Sequence, residues 1–158
     1  MPQAPLEEPR VDEPSHDVPM ESLLVVRAGG HLFALPLDPI QEVLPARPIT
    51  PVPGADAAVG GIANVRGRVI AVVDLAAALQ LTATGLGRDH RLLVLDHRGR
   101  QVGIGVVDVV RIARVPAHEI TPAAADHTSP TWLRGSVSLQ PEAIDVVDTD
   151  RLLDSVLG

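Results

Sequence analysis

Three apolar runs in this chain end in aspartate: Val73-Asp74, Val107-Asp108 and Val147-Asp148. A cluster of such carboxylates would suit a divalent ion or acid–base chemistry. An aspartate leaving a strand is also well placed to cap the helix or turn that follows, and that is the reading favoured here. The histidines (His16, His31, His90, His97, His118 and His127) contain no i, i+4 pair and no His-Glu-x-x-His, so zinc-ligand spacing is missing. His31 and His97 fall beside hairpin turns, where solvated polar side chains are expected. No serine lies in a Gly-x-Ser-x-Gly elbow, and the lone Gly103-x-Gly105 suits a bulge or a close approach of backbones better than a phosphate cradle. There is no cysteine, and all 13 basic residues are arginine. Without lysine there is no P-loop and no Schiff base. These residues assemble neither an active site nor a cofactor site.

One motif stands apart. Asn64-Val65-Arg66-Gly67 contains the chain's only asparagine, and its Arg66-Gly67 lies between the runs Ile62–Val65 and Arg68–Val73. One reading is a turn in which Gly67 takes positive φ while Arg66 points to water. The other presents Arg66 at the edge of an apolar surface as an interface anchor, its guanidinium making forked hydrogen bonds while its stem covers apolar area. Both remain open at this level.

The elements that must position this motif occur twice. Leu23-Leu24-Val25-Val26, the turn Gly29-Gly30 and the run from Leu32 to Val43 return as Leu92-Leu93-Val94-Leu95, Arg98-Gly99 and Val102 to Ile112. Ile49-Thr50-Pro51 returns as Ile120-Thr121-Pro122, and Arg66-Gly67 followed by Val72-Val73-Asp74 is matched with Arg134-Gly135 followed by Val146-Val147-Asp148. The offset of roughly 69 residues is too long for a solenoid. Two strand-rich units, each too small to bury much core alone, should pack on each other and leave a seam. Each unit opens with a hairpin. Asp38–Val43 reads as a helical turn or a bulged strand, and Pro48–Gly54 as a connection. Asp74 should cap a short helix over Leu75–Leu79, and Asp148 or Thr149 a terminal helix. Arg134 lacks the flanking aliphatics of Arg66, so the two copies should differ in role.

The chain has 158 residues, 46% of them hydrophobic, with one Phe, one Trp and no Tyr, so aliphatic side chains must fill the core. The net charge of −7 is concentrated at the N-terminus, where Glu7, Glu8, Asp12, Glu13, Asp17 and Glu21 stand against Arg10 alone. Residues 1–20 are Pro-rich and acidic and read as a disordered leader, with order beginning at Ser22. The nearly neutral body offers no basic nucleic-acid surface. No run approaches the roughly 20 apolar residues of a membrane span.

The chain resembles the CheW-like coupling proteins of bacterial chemotaxis over roughly Ser22 to Ser155. The resemblance rests on Phe33-Ala34-Leu35-Pro36-Leu37 leading to Glu42-Val43, on Gly61-Ile62-Ala63-Asn64-Val65-Arg66-Gly67 leading to Val72-Val73-Asp74-Leu75, on Val107-Asp108-Val109-Val110, on Leu133-Arg134-Gly135 and on Val147 to Leu153. It implies an all-β fold of two pseudo-symmetric SH3-like five-stranded β-barrel lobes, about 21–84 and 85–158, with an exchange of terminal strands between them left open. It also implies a non-enzymatic cytoplasmic adaptor, without cofactor or metal, recruited to receptor arrays at the inner face of the membrane. Such an adaptor joins chemoreceptor signalling tips to the regulatory domain of a chemotaxis histidine kinase. Carried onto this chain, Asn64, Val65, Arg66 and Gly67 with Glu42 and Val43 map to the receptor-facing surface, and Ile40, Ile62 and Leu93 to its apolar lining. Ala71, Val65 and Trp132 depart mildly from residues common in the family. The rival reading is a small barrel binding nucleic acid, which should interleave basic residues with stacking aromatics. A small hydrolase would need a nucleophile, base and oxyanion motif together.

Overall fold

A computed structural model of the chain describes residues 18–82, 85–125 and 128–158. Of the expected leader, residues 1–17 lie outside the described residues. Order begins earlier than Ser22, because β1 (Met20–Ala28) already includes Met20 and Glu21. It pairs with β2 (His31–Pro36), and β3 (Ile40–Pro45) follows as a strand with a bulge between Ile40 and Glu42. Next come β4 (Val59–Val65), β5 (Arg68–Asp74) and the one-turn helix α1 (Leu75–Ala78). The second half holds β6 (Arg91–His97), β7 (Arg100–Val106), β8 (Asp108–Pro116), a 3₁₀ turn (Ala117–Glu119), the short β9 (Thr121–Pro122), β10 (Leu133–Leu139), β11 (Glu142–Val147) and α2 (Thr149–Leu157).

These strands form two sheets, in the orders β3-β6-β7-β5-β4 and β8-β1-β2-β11-β10-β9. A cut at 84/85 does not separate them. The β6–β7 hairpin of the second half completes the sheet of the first, and β1–β2 completes the sheet of the second. Parallel pairing of β5 with β7, and of β11 with β2, joins the exchanged pieces. Each sheet curls until its outer strands share one interior: Leu44 of β3 lies in one core with Ala63 and Val65 of β4, and Ala113 and Val115 of β8 lie in another with Val137 of β10.

The unbroken apolar runs follow from this exchange, because their strands bury both faces. Leu92 and Val94 point into one lobe, whereas Leu93 and Leu95 point into a core between the lobes. Leu23 and Val25 divide from Leu24 and Val26 in the same way. The inter-lobe core also takes Val73, Leu75, Ile104, Val147, Leu152 and Leu153, drawn from both sheets and both helices.

Matching ladder positions define the pseudo-twofold. The bulge opposite Val94 in β3–β6 matches that opposite Val25 in β8–β1, equating Glu42 with Arg111. In β4–β5 the register slips between Val59 and Gly61, and in β10–β11 between Leu133 and Gly135. Gly61 therefore corresponds to Gly135, and Asp74 to Asp148. This corrects the match made from sequence: the offset widens after the hairpins, Arg134 precedes a bulge glycine, and the counterpart of Arg66-Gly67 is Gln140-Pro141.

Asp74 and Asp148 are N-caps as expected. Asp74 accepts from the N–H of Ala76 (3.1 Å) and of Gly85 (2.8 Å), and Asp148 from that of Arg151 (3.1 Å). Gly103 and Gly105 do mark close packing, but of side chains: added Cβ atoms would lie 2.7 Å from Leu92 Cδ1 and 2.4 Å from Leu86 Cδ1. His31 is exposed, but His97 is buried, its Nε2 3.0 Å from Asp154 of α2. The terminal helix packs beside the β6–β7 turn, where Asp154 also accepts from Arg98.

Glu21, counted above with the acidic N-terminal residues, forks onto Arg134 with both contacts at 2.5 Å and ties β1 to β10. Hydrogen bonds from Arg134 hold its carboxyl below the ordinary value of 4.5, with partial burial opposing and the charge of Arg134 adding. A carboxyl depressed on folding contributes stability above its unfolded pKa and loses it as pH falls through its folded pKa. Arg134→Gln should therefore lower stability at pH 7 by no more than about 1 kcal/mol, since the pair is partly solvated. The gap to the unaltered protein should close below pH 4.5, as urea midpoints measured across pH would show; a gap that widens in acid would contradict this role.

Candidate functional site

The β4–β5 hairpin turns through Arg66 and Gly67 alone, with φ of 52° and 83°. Positive φ at both central residues is the type I′ geometry that matches strand twist. Asn64 fixes the turn by accepting the Gly67 N–H through Oδ1 at 2.9 Å. The turn reading holds: Gly67 takes positive φ, and the Arg66 side chain is exposed.

Its partner is Glu42, 24 residues earlier on the opposite outer strand of the sheet. The guanidinium donates through Nη1 to Oε1 and through Nη2 to Oε2, the latter at 2.6 Å. This two-pronged geometry is specific to arginine. Hydrogen bonds from Arg66 hold the Glu42 carboxyl below its ordinary value, against slight desolvation and with the charges of Arg66 and Arg47 assisting. The Arg66 side chain remains 64% exposed, so the fork lies open on the surface.

Val43 stands opposite Leu93 in the β3–β6 ladder, on the sheet face that Leu93 buries, but beyond the rim of the seam and 42% exposed. Ile40 is half-buried on the same rim, packed against the inter-lobe core. Ile62 is half-buried on β4, where its amide and carbonyl bond to Thr50. Two residues mapped to the surface do not reach it. Leu93 is wholly buried between the lobes, and Val65 fills the lobe interior at 4% exposure. Strand alternation places them there: Val65 shares its face with Ala63, and Leu93 shares its face with Leu95. Asn64, Arg66, Gly67, Glu42, Val43, Ile40 and Ile62 remain as a surface set.

Among the described residues no group of three or more His, Cys, Asp or Glu could hold a metal ion. The two aromatic residues, Phe33 and Trp132, meet edge to face at 6.3 Å with Phe33 buried, so they offer no platform for stacking bases.

Two curled sheets that exchange hairpins and pack on a shared core make a double-barrel fold of the scaffold type. The chain belongs to the CheW-like domain family, whose model matches residues 22–157. It is 30% identical to the chemotaxis protein CheW of Rhizobium meliloti over 135 residues, which are 84% of this chain and 87% of the relative. It is also 29% identical to protein FrzA of Myxococcus xanthus over 145 residues (87% and 88%), and 34% identical to protein PilI of Pseudomonas aeruginosa over 90 residues (57% and 51%). The fold matches the crystal structure of the scaffolding protein TtCheW from Thermoanaerobacter tengcongensis, with a TM-score of 0.76 at 23% identity over 85% of this chain and 92% of that one. As a member of the family, the chain is a non-catalytic chemotaxis coupling scaffold.

Proposed function

We propose that the protein couples the cytoplasmic signalling tips of chemoreceptors to the regulatory domain of a chemotaxis histidine kinase. Coupling here is energetic: partners held at two surfaces bias one another through contacts, without covalent chemistry. The observation that supports the receptor-facing assignment most directly is the exposed Glu42–Arg66 fork beside Val43 and Ile40, on a scaffold of this family. A cytoplasmic protein recruited to the inner face of the membrane fits this role; no helix among the described residues is long and apolar enough to cross a membrane.

Co-sedimentation with receptor signalling fragments, with and without the kinase, tests the reading, and failure to bind either would reject it. Arg66→Asp should weaken receptor binding about tenfold or more, corresponding to about 1.4 kcal/mol, while thermal unfolding stays near that of the unaltered protein. Unchanged affinity would remove Arg66 from the surface.

A further inference from the structure

Where the parallel strands β5 and β7 diverge, before their first paired residues Ala71 and Val102, the surface opens into a cleft of about 540 Å³. Arg68, Val69, Gly99, Arg100 and Gln101 line it, with Leu157 of α2 at one side. The pseudo-twofold generates a second cleft where β11 diverges from β2, lined by Arg27, Gly30, His31, Glu142, Ala143 and Asp145 among others. The two share a backbone plan and differ in charge. Arg68 and Arg100 of the first are replaced by Glu142 and His31 in the second, and Ala71 by Asp145.

The first cleft combines cations that lack partners with exposed apolar surface. Arg66, Arg98 and Arg134 are all forked onto carboxylates, whereas Arg68 and Arg100, like several other exposed arginines, make no side-chain hydrogen bond or ion pair among the described residues, and these two line one cleft. Beside them Val69 is 64% exposed, more than any other large exposed aliphatic of the described chain. A ligand matching this surface carries carboxylates next to an aliphatic side chain.

The chain contains that chemistry twice. Leu6-Glu7-Glu8-Pro9 and Val11-Asp12-Glu13-Pro14 each place one aliphatic residue before two acids. We propose that the Arg68–Arg100 cleft is a binding site for this acidic N-terminal segment. The 17 residues before Val18 span up to about 60 Å when extended, enough for either unit to reach the cleft. Tethering makes the encounter intramolecular, so modest pairwise attraction suffices for occupancy. In the second cleft Glu142 and Asp145 outnumber Arg27, so the same segment is disfavoured there. Because Arg68 follows the Arg66-Gly67 turn directly, a bound segment lies against the receptor-facing surface proposed above and competes for access to it. The binding site itself does not depend on that assignment.

The chain lacks cysteine, so Ser15→Cys gives the full chain a single attachment point for a nitroxide spin label. At low ionic strength the amide signals of Val69, Gly99 and Gln101 should fall to less than half their intensity with the label reduced. Arg68→Glu with Arg100→Glu in the labelled chain should abolish the loss, and Glu7→Lys, Glu8→Lys, Asp12→Lys and Glu13→Lys added to that variant should restore it. Full intensity at these amides in the singly labelled chain, equal loss around Glu142 and Asp145, or loss that persists in the Arg68→Glu, Arg100→Glu variant would overturn the proposal. A preserved amide spectrum elsewhere shows that the variants fold.

Discussion

Leu93→Ala should lower the unfolding free energy by about 2–5 kcal/mol, the range for deleting a wholly buried leucine whose surroundings relax little. Leu93 has no accessible surface and sits between the lobes, packed within a core drawn from both sheets and both helices. The loss should be felt by the whole molecule, because each lobe contains a hairpin from the other half of the chain. Trp132, the sole tryptophan, reports on this: it precedes β10 of the other sheet, packs against the same inter-lobe core and touches Phe33 of β2. Its fluorescence transition in urea should coincide with the far-ultraviolet circular dichroism transition and shift with it in Leu93→Ala. If Trp132 kept its original midpoint while the dichroism transition split, the lobes would be independent folding units.

Gly61→Ala should cost about 2–6 kcal/mol, combining roughly 1–3 for overpacking with roughly 1–3 for backbone strain. A Cβ there would lie 2.2 Å from the carbonyl oxygen of Thr50, and the residue has a φ of 146°. Thr50 cannot retreat freely, since its amide and carbonyl both bond to Ile62 at 2.9 and 2.8 Å. The pseudo-equivalent Gly135 faces the Thr121 carbonyl at the same 2.2 Å but is not in the left-handed region, so Gly135→Ala should be milder. Gly67→Ala meets open space and carries only the cost of positive φ, roughly 1–2 kcal/mol. Urea midpoints should rank Gly61→Ala lowest, Gly135→Ala next and Gly67→Ala highest. A Gly61→Ala protein as stable as Gly67→Ala would mean that the approach of Thr50 is not constrained as described.

Much of the fold is legible in the residues because it rests on local rules. The hairpins at Gly29-Gly30 and Arg98-Gly99, the caps at Asp74 and Asp148 and the turn at Arg66-Gly67 all follow from side-chain and backbone preferences within a few positions. The apolar runs Leu23–Val26 and Leu92–Leu95 announce strands buried on both faces, but not which core each alternate residue enters. That partition depends on which hairpin joins which sheet. It is why Leu93 and Val65 look like candidates for the surface until the sheets are seen. The match of Arg66 with Arg134 failed for a related reason: unequal connections shift the offset, and the true correspondence of Gly61 with Gly135 appears only in the ladder slips. The Glu42–Arg66 and Glu21–Arg134 forks join residues distant in sequence, with no periodic signal to pair them.

The exchanged hairpins also govern how the chain can be divided. A backbone break in the connection between α1 and β6 would leave two fragments, each holding a hairpin without its sheet and a sheet without its hairpin. Neither piece could close a lobe by itself, yet together they hold every strand of both. The molecule is in effect a pair of clasped hands made from one thread: severed there, it becomes two complementary chains whose assembly depends on meeting each other.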